Sequence, residues 1–232
     1  MPAYPLDALI EQLRSLADEK YRLFNESLTP GAEGTSLGVR MPVLRKVTRR
    51  IIKDAPVEFL DASLNSPVHE INLLHAIVLA KENCSVEQKL TRIRNFVPTI
   101  SNWAVCDLLC NDLKPSPSLR EALLPRLREY ACSEEEYEVR FAYVMLMTYY
   151  RDSAHIDETF RIYAGFRHDG YYAKMGAAWG LSFLYVDWPE HTLELLRNHT
   201  FDRFTHNKAI QKCIESYRIS DSDKKMLRML RR

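Results

Sequence analysis

The stretch EVRFAYVMLMTYY, residues 138–150, indicates the fold class more directly than any other part of the chain. Apolar side chains fill almost every position, so a helix of these residues is apolar nearly all round, as in an inner-layer helix. The longest largely apolar run, Phe141–Tyr150, is too short for a membrane span, which needs about 20 residues. We therefore predict a buried helix, which requires other helices around it, and no membrane association.

Amphipathic stripes with the helical period recur on both sides of this stretch. They begin near Leu6, Pro42, Pro67, Leu119, Tyr171, Thr192, Thr205 and Ser220. Only 7 of the 232 residues are glycine, whereas sheet-rich folds use glycine in hairpins and bulges. This pattern predicts an all-α protein of ten or more helices, either an irregular bundle or an α-solenoid.

One segment interrupts the helical pattern. LFNESLTPGAEGTSLGVR, residues 23–40, contains three of the seven glycines and Pro30, and it has no helical period. We predict a loop at about residues 29–38.

The bulk composition narrows the class of protein. A formal net charge of +1 excludes a grossly basic nucleic-acid binder, but it allows a basic face balanced by an acidic one. Five cysteines without CxxC spacing predict reduced thiols in a cytoplasmic protein, and the first residues do not resemble a secretory signal. Cys106 and Cys110 lie one helical turn apart, where a pair of core residues is favoured over a shared metal. The sequence predicts no metal and no cofactor.

Four polar or aromatic residues stand out in three apolar helical stretches. Trp103 and Asp107 share one helix face, and a carboxylate there requires a partner because an unpaired charge is costly in a core. Arg140 and Trp179 follow at intervals of roughly 35 residues, a period typical of two-helix HEAT repeats. We expect these side chains to converge on one concave face.

Five motifs, in this order, resemble the AlkD-like DNA alkylation repair family. They are GVRMPVLRKV, NWAVCD, EVRFAYVML, YYAKMGAAWGL and FTHNKAIQKCIESY. The resemblance extends from about residue 5 to residue 230. It implies that residues 1–232 form one domain, a HEAT-like repeat α-solenoid with a concave groove that binds duplex DNA.

The resemblance also implies a chemistry. Family members include glycosylases that release cationic N3- and N7-alkylated purines without flipping the base into a pocket. Asp107 matches the catalytic aspartate, Trp103 and Trp179 match two tryptophans that flank the sugar of the lesion, and Arg140 matches an arginine that grips the DNA backbone. A fixed carboxylate stabilises positive charge that develops on the deoxyribose, and tryptophan faces attract a cationic nucleotide.

Basic residues on three predicted helices are further candidates for contact with phosphate. They are Arg45, Lys46, Arg49, Lys174, Lys208 and Lys212. Charge runs of this kind are also common on solvated faces that bind nothing.

Simpler structural interpretations remain open for the same residues. Each tryptophan could be a core aromatic, and Asp107 with Arg140 could be a structural ion pair between adjacent helices. Gly176 and Gly180, beside Trp179, could allow close helix packing or could clear space for a DNA backbone.

Two departures from the family pattern bear on activity. Asn102 stands where catalytic members carry an aromatic residue. Residues 23–40 stand where those members have a full second helix that presses on the opposite DNA strand, so the chain most resembles a branch without it. We predict a DNA-binding protein, a candidate N-glycosylase for cationic alkylpurines with weak or lost activity. The alternative is a non-catalytic module that binds nucleic acid or serves as a protein scaffold, its protein partner unknown.

Overall fold

The computed structural model describes residues 4–232, which contain 14 α-helices, one 3-10 helix at Val97–Thr99, and no strand. The helices of the first half are α1 Leu6–Arg14, α2 Glu19–Leu28, α3 Met41–Asp54, α4 Pro56–Ser63, α5 His69–Lys81, α6 Val86–Phe96 and α7 Trp103–Leu113. Those of the second half are α8 Pro117–Ala131, α9 Glu136–Tyr149, α10 Ile156–Ala164, α11 Tyr171–Asp187, α12 Pro189–Arg197, α13 Arg203–Glu215 and α14 Asp221–Met229. The predicted all-α fold class is confirmed.

The helices divide between two compact units, Met1–Lys114 and Pro115–Arg232. In the first unit α3 packs on α5 and α5 on α7, while α4 and α6 also contact α5. In the second unit α9 packs on α11 and α11 on α13, with α8, α12 and α14 each beside one of these three. Packing of every second helix on the next is typical of helical-repeat proteins. That residues 1–232 form one domain stays a prediction.

One helix of each unit, α5 in the first and α9 in the second, is buried along most of its length. In α9, every residue from Val139 to Met147 is buried, which confirms the inner-layer helix predicted from its sequence. In α5, every residue from His69 to Ala80 except Asn72 is buried, and the buried set includes Glu70. No helix among residues 4–232 combines the length and apolar character needed to cross a bilayer.

Polar residues at helix starts explain where several helices begin. A side-chain oxygen of the N-cap residue accepts a hydrogen bond from a backbone N–H of the first turn, which would otherwise lack a partner. This arrangement occurs at Asp18, Ser85, Asn102, Ser116, Asp202 and Ser220. The last of them begins the helix that the sequence placed near Ser220.

The helix α2 extends into the stretch for which the sequence predicted no helical period. Residues 23–28 are helical, and the loop predicted at about residues 29–38 lies wholly after them. Asp18 caps the helix through the Tyr21 N–H, and the guanidinium of Arg22 pairs with carboxylates one turn before and one turn after it, those of Glu19 and Glu26. These local bonds stabilise a helix whose apolar residues do not form a regular stripe.

The segment from residue 29 to residue 40 contains no helix. Gly31 and Gly38 have φ angles of 92° and 83°, a conformation that disfavours any residue with a Cβ. There is also no room for a side chain at either glycine. A Cβ on Gly31 would lie 2.5 Å from the Ser101 carbonyl oxygen, and a Cβ on Gly38 would lie 2.6 Å from the Asp18 carbonyl oxygen.

A buried carboxylate holds the end of this segment in place. Glu70 is only 1% exposed, and its side chain accepts hydrogen bonds from four donors. Oε1 accepts from the Ser36 hydroxyl and from the N–H groups of Gly38 and Val39 at 2.8–3.1 Å, and Oε2 accepts from the Leu37 N–H at 2.8 Å. Glu70 thereby satisfies backbone donors that have no helix or sheet to bond to.

Candidate active site

The first turns of α7 position Trp103 and Asp107. Asn102 begins the helix by accepting a hydrogen bond at Oδ1 from the Val105 N–H at 3.1 Å. Apolar residues on the opposite side of the helix, including Cys106, are buried in the first unit. Trp103 and Asp107 lie one turn apart on the half-buried face, as their spacing predicted.

Trp103 and Asp107 both line a cavity of about 270 Å³. The other residues that line it are Tyr21, Asn25, Val39, Met41, His69, Glu70, Leu73, Ala104, Leu108 and Asn111. The indole Nε1 of Trp103 donates to the Leu28 carbonyl at 3.1 Å, so the last turn of α2 fixes the position of the ring. The first unit therefore places an aromatic side chain and a carboxylate at one cavity.

His69 and Glu70 are polar residues of this cavity that the sequence reasoning missed. Burial holds the pKa of His69 below its usual value, although the charges of Glu70 and Glu26 act in the opposite direction. The ring is therefore neutral near pH 7. Both residues lie in the first turn of α5, whose apolar sequence is typical of a core helix. A carboxylate at the start of such a helix was the signal that could have identified them.

Arg140 lies on α9 and is 7% exposed. Its Nη1 donates to the Tyr172 carbonyl, in the first turn of α11, at 2.9 Å. A Cβ at Gly176 would lie 3.3 Å from Cγ of Arg140, so this glycine lets α11 approach the arginine closely. The guanidinium thus helps join two helices of the second unit.

Gly180 serves close packing within the second unit. A Cβ there would lie 1.8 Å from the hydroxyl oxygen of Tyr163, which is a fully buried side chain. Of the two interpretations left open for this glycine, close approach to a neighbouring side chain agrees with the geometry.

Trp179 and Lys212 line a second cavity, of about 230 Å³. Ser182, Phe183, Val186, Glu215, Ser216 and Arg218 also line it. The rings of Trp179 and Phe183 pack edge to face with centroids 5.9 Å apart, and Lys212 Nζ lies 3.1 Å from a Glu215 carboxylate oxygen.

Lys208 lies in a basic cavity of about 640 Å³ at one end of α13. The residues around it are Arg203, Phe204, Asn207, Lys208, Gln211, Arg231 and Arg232, with no Asp or Glu among the described lining residues. The ammonium of Lys208 is 5.8 Å from the centroid of the Phe204 ring.

Lys174 is engaged differently from Lys208. Its ammonium lies 3.1 Å from Asp169 and 3.8 Å from Asp202, and its side chain is mostly buried. Two carboxylates therefore already neutralise the ammonium group of Lys174, which the sequence had suggested as a contact for phosphate.

The basic residues of α3 also differ from one another. Both terminal nitrogens of Arg45 donate to the carboxylate of Asp112 on α7, and Lys81 is 3.7 Å from the same carboxylate. Lys46 and Arg49 are exposed, and no ion pair to them occurs within the described part of the chain. These two remain available to a polyanion.

Trp103 and Asp107 belong to the first unit, and Arg140 and Trp179 belong to the second. That the four converge on one concave face stays a prediction. Among residues 4–232, no group of three or more His, Cys, Asp or Glu side chains is arranged to hold a metal ion. All five cysteines are free thiols, and Cys106 and Cys110 are buried.

Comparison with known proteins adds one finding. The sequence profile of a family described as DNA alkylation repair enzyme matches residues 9–213, which is most of the chain. No curated protein matches the chain.

Proposed function

Because the chain belongs to the DNA alkylation repair enzyme family, which indicates a role in DNA repair, we propose that it binds duplex DNA and that any release of an alkylated base depends on Asp107. The observation that carries this proposal is the cavity of the first unit, which Trp103 and Asp107 both line. An aromatic side chain and a carboxylate together suit a ligand that carries positive charge.

The proposed substrate is a purine alkylated at N3 or N7, in duplex DNA. Alkylation makes the base cationic, so cleavage of the glycosidic bond lets the base leave with the bonding electrons as a neutral molecule. The deoxyribose is left as a cation, which water captures with loss of a proton. Asp107 stabilises the developing sugar cation, much as carboxylates do in glycoside hydrolysis. Trp103, and Trp179 in the second unit, add cation–π attraction of about 0.5–2 kcal/mol each.

Contacts with the DNA backbone are assigned to the exposed cations. Lys46 and Arg49 on α3 have no competing carboxylate among residues 4–232, and Lys208 lies among arginines. Arg140 is assigned to phosphate by family resemblance, with its bond to the Tyr172 carbonyl keeping part of the guanidinium fixed. Such contacts give affinity that falls steeply with salt concentration.

We expect base release to be weak. The helix α2 ends at Leu28, and residues 29–40 form a loop held by Glu70. A full second helix that could press on the DNA is therefore not formed by this stretch, which supports placing the chain in a branch of the family without that element. Without such a helix, the protein distorts the duplex less easily, and the glycosidic bond is less exposed.

The test is single-turnover release of N7-methylguanine and N3-methyladenine from duplex DNA by wild type and by Asp107→Asn. Loss of one preorganised charge typically lowers a rate about 100- to 1,000-fold, so the variant is expected to lose whatever release occurs. Asp61→Asn is the matched control, because Asp61 is an exposed carboxylate on α4, outside the cavity. Base release that survives Asp107→Asn refutes the mechanism, and fast wild-type release refutes the prediction of weak activity.

The second candidate function is a non-catalytic module, and the loop at residues 29–40 is the observation that favours it. This module could bind nucleic acid or serve as a protein scaffold. Measuring binding to undamaged duplex DNA at increasing salt concentration separates these two possibilities. Binding that weakens steeply as salt rises, without base release by either protein, supports a nucleic-acid-binding module. Absence of duplex binding at low salt supports a protein scaffold.

A further inference from the structure

The imidazole of His69 contains a buried nitrogen without a hydrogen-bond partner in residues 4–232. The residue is 2% exposed, and its Nε2 contacts no donor or acceptor there. It lines the same cavity as Asp107 and Trp103. Buried polar atoms without a partner are rare in folded proteins, and one beside a cavity is best explained by a ligand.

Asn102 determines which ring nitrogen of His69 carries the proton. The Oδ1 atom of Asn102 accepts the Val105 N–H, so its amide nitrogen is the end that faces His69 Nδ1, at 3.4 Å. An amide nitrogen only donates, so Nδ1 of His69 must accept. In a neutral ring the proton then resides on Nε2, which is a donor.

The charged groups near His69 are already engaged or line the same cavity. The Glu70 carboxylate, on α5 itself, bonds to the loop, and the Glu26 carboxylate of α2 bonds to Arg22 and to the Gly34 N–H. Asp107 of α7 lines the same cavity. A neutral donor beside Asp107 can bind an oxygen atom without neutralising the carboxylate.

We propose that His69 is a positioning residue whose Nε2–H donates a hydrogen bond to a sugar or phosphate oxygen of the deoxynucleotide held beside Asp107. This inference rests on the proposed function. A cavity of about 270 Å³ lies below the range of about 300–1,000 Å³ typical of small-molecule sites. It suits a sugar with its attached oxygens better than a whole nucleotide. His69 orients the sugar and, being neutral, adds no positive charge at the cavity that Asp107 lines.

The probe is a duplex with one tetrahydrofuran abasic site, which keeps the sugar and phosphates but has no base. His69→Met removes the donor, and His69→Gln places an amide N–H near the position of Nε2. We expect His69→Met to weaken binding to this duplex about three- to tenfold relative to undamaged duplex, and His69→Gln to restore most of the loss. Melting curves followed by circular dichroism establish that each variant is folded.

Asn102→Asp tests the same hydrogen bond without changing His69. Aspartate still caps α7, but it cannot donate, so it moves the proton of the neutral ring to Nδ1 and makes Nε2 an acceptor. Nitrogen-15 NMR of the ring, above the usual histidine pKa of about 6.5, is expected to find Nε2–H in wild type and Nδ1–H in the variant. The variant is expected to bind the abasic duplex as weakly as His69→Met does.

Two results overturn the inference and leave the proposed function intact. One is a wild-type ring protonated at Nδ1, and the other is unchanged affinity of His69→Met for the abasic duplex. Failure of the proposed function is different, because wild type then shows no salt-sensitive binding to any duplex, and the inference fails with it.

Discussion

Replacing Glu70 with glutamine tests whether one buried carboxylate holds the loop that borders the Asp107 cavity. The exchange keeps the size of the side chain and removes its charge. In the wild type one oxygen accepts from Ser36, Gly38 and Val39, and the other accepts from Leu37. Glutamine has a single acceptor oxygen, so at least one backbone N–H must face the amide NH₂.

The expected loss follows from the bonds in the structure. A hydrogen bond to a charged group contributes about 1.5–3 kcal/mol, and a neutral one about 0.5–1.5 kcal/mol. Three bonds weaken and the bond from Leu37 is lost. Because the loop can relax, we expect a net loss of about 2–4 kcal/mol in the free energy of opening the loop. That is a large part of the about 5–15 kcal/mol that stabilises a typical folded protein.

Amide hydrogen exchange at Leu37, Gly38 and Val39 measures this free energy locally. A loss of 2–4 kcal/mol accelerates exchange about 30- to 1,000-fold, at about 1.4 kcal/mol per factor of ten. Glu33→Gln is the control, because Glu33 is an exposed carboxylate of the same loop and, within residues 4–232, accepts only the Gly31 N–H. Equal protection of residues 37–39 in wild type and Glu70→Gln would refute the reasoning.

Further predictions concern packing and pH. Gly180→Ala should destabilise the second unit by about 1–3 kcal/mol, since its Cβ would lie 1.8 Å from the Tyr163 hydroxyl. Gly176→Ala should change stability by less than about 1 kcal/mol, because its Cβ meets Cγ of Arg140 at 3.3 Å and a small shift of that side chain relieves the contact. Urea unfolding that ranks the two variants in the reverse order contradicts this. Burial lowers the pKa of His75 to about 3, so its contribution to stability is complete above the unfolded pKa of about 6.5 and is lost as pH falls towards 3. Urea midpoints should therefore decline more steeply below pH 6.5 in wild type than in His75→Asn, and parallel declines would exclude His75 as the cause.

The fold class could be predicted because helical periodicity is a local property of the sequence. The apolar run of α9 indicated an inner helix, and every residue from Val139 to Met147 is indeed buried. Residues 23–28 show no helical period in the sequence because α2 depends on its cap and on ion pairs at Arg22 rather than on an apolar stripe.

The candidate site could be predicted only where its residues belong to one helix. Trp103 and Asp107 share a face of α7 because they are one turn apart in sequence. His69 and Glu70 were missed because their roles depend on Asn102 and on residues 36–39, more than 30 positions away in each case. For the same reason sequence could not tell which basic residues already face a carboxylate.

The loop before α3 constrains how this chain could change over evolutionary time. A helix through residues 29–40 cannot arise by replacing Pro30 alone, because any larger residue at Gly31 or Gly38 meets the backbone of Ser101 or Asp18. An intermediate sequence with only some of these changes would combine a steric clash with a Glu70 carboxylate deprived of its donors. The substitutions are therefore epistatic: each is harmful until the others are present. A sequence that contains this loop therefore does not reach a helix at residues 29–40 by single neutral steps.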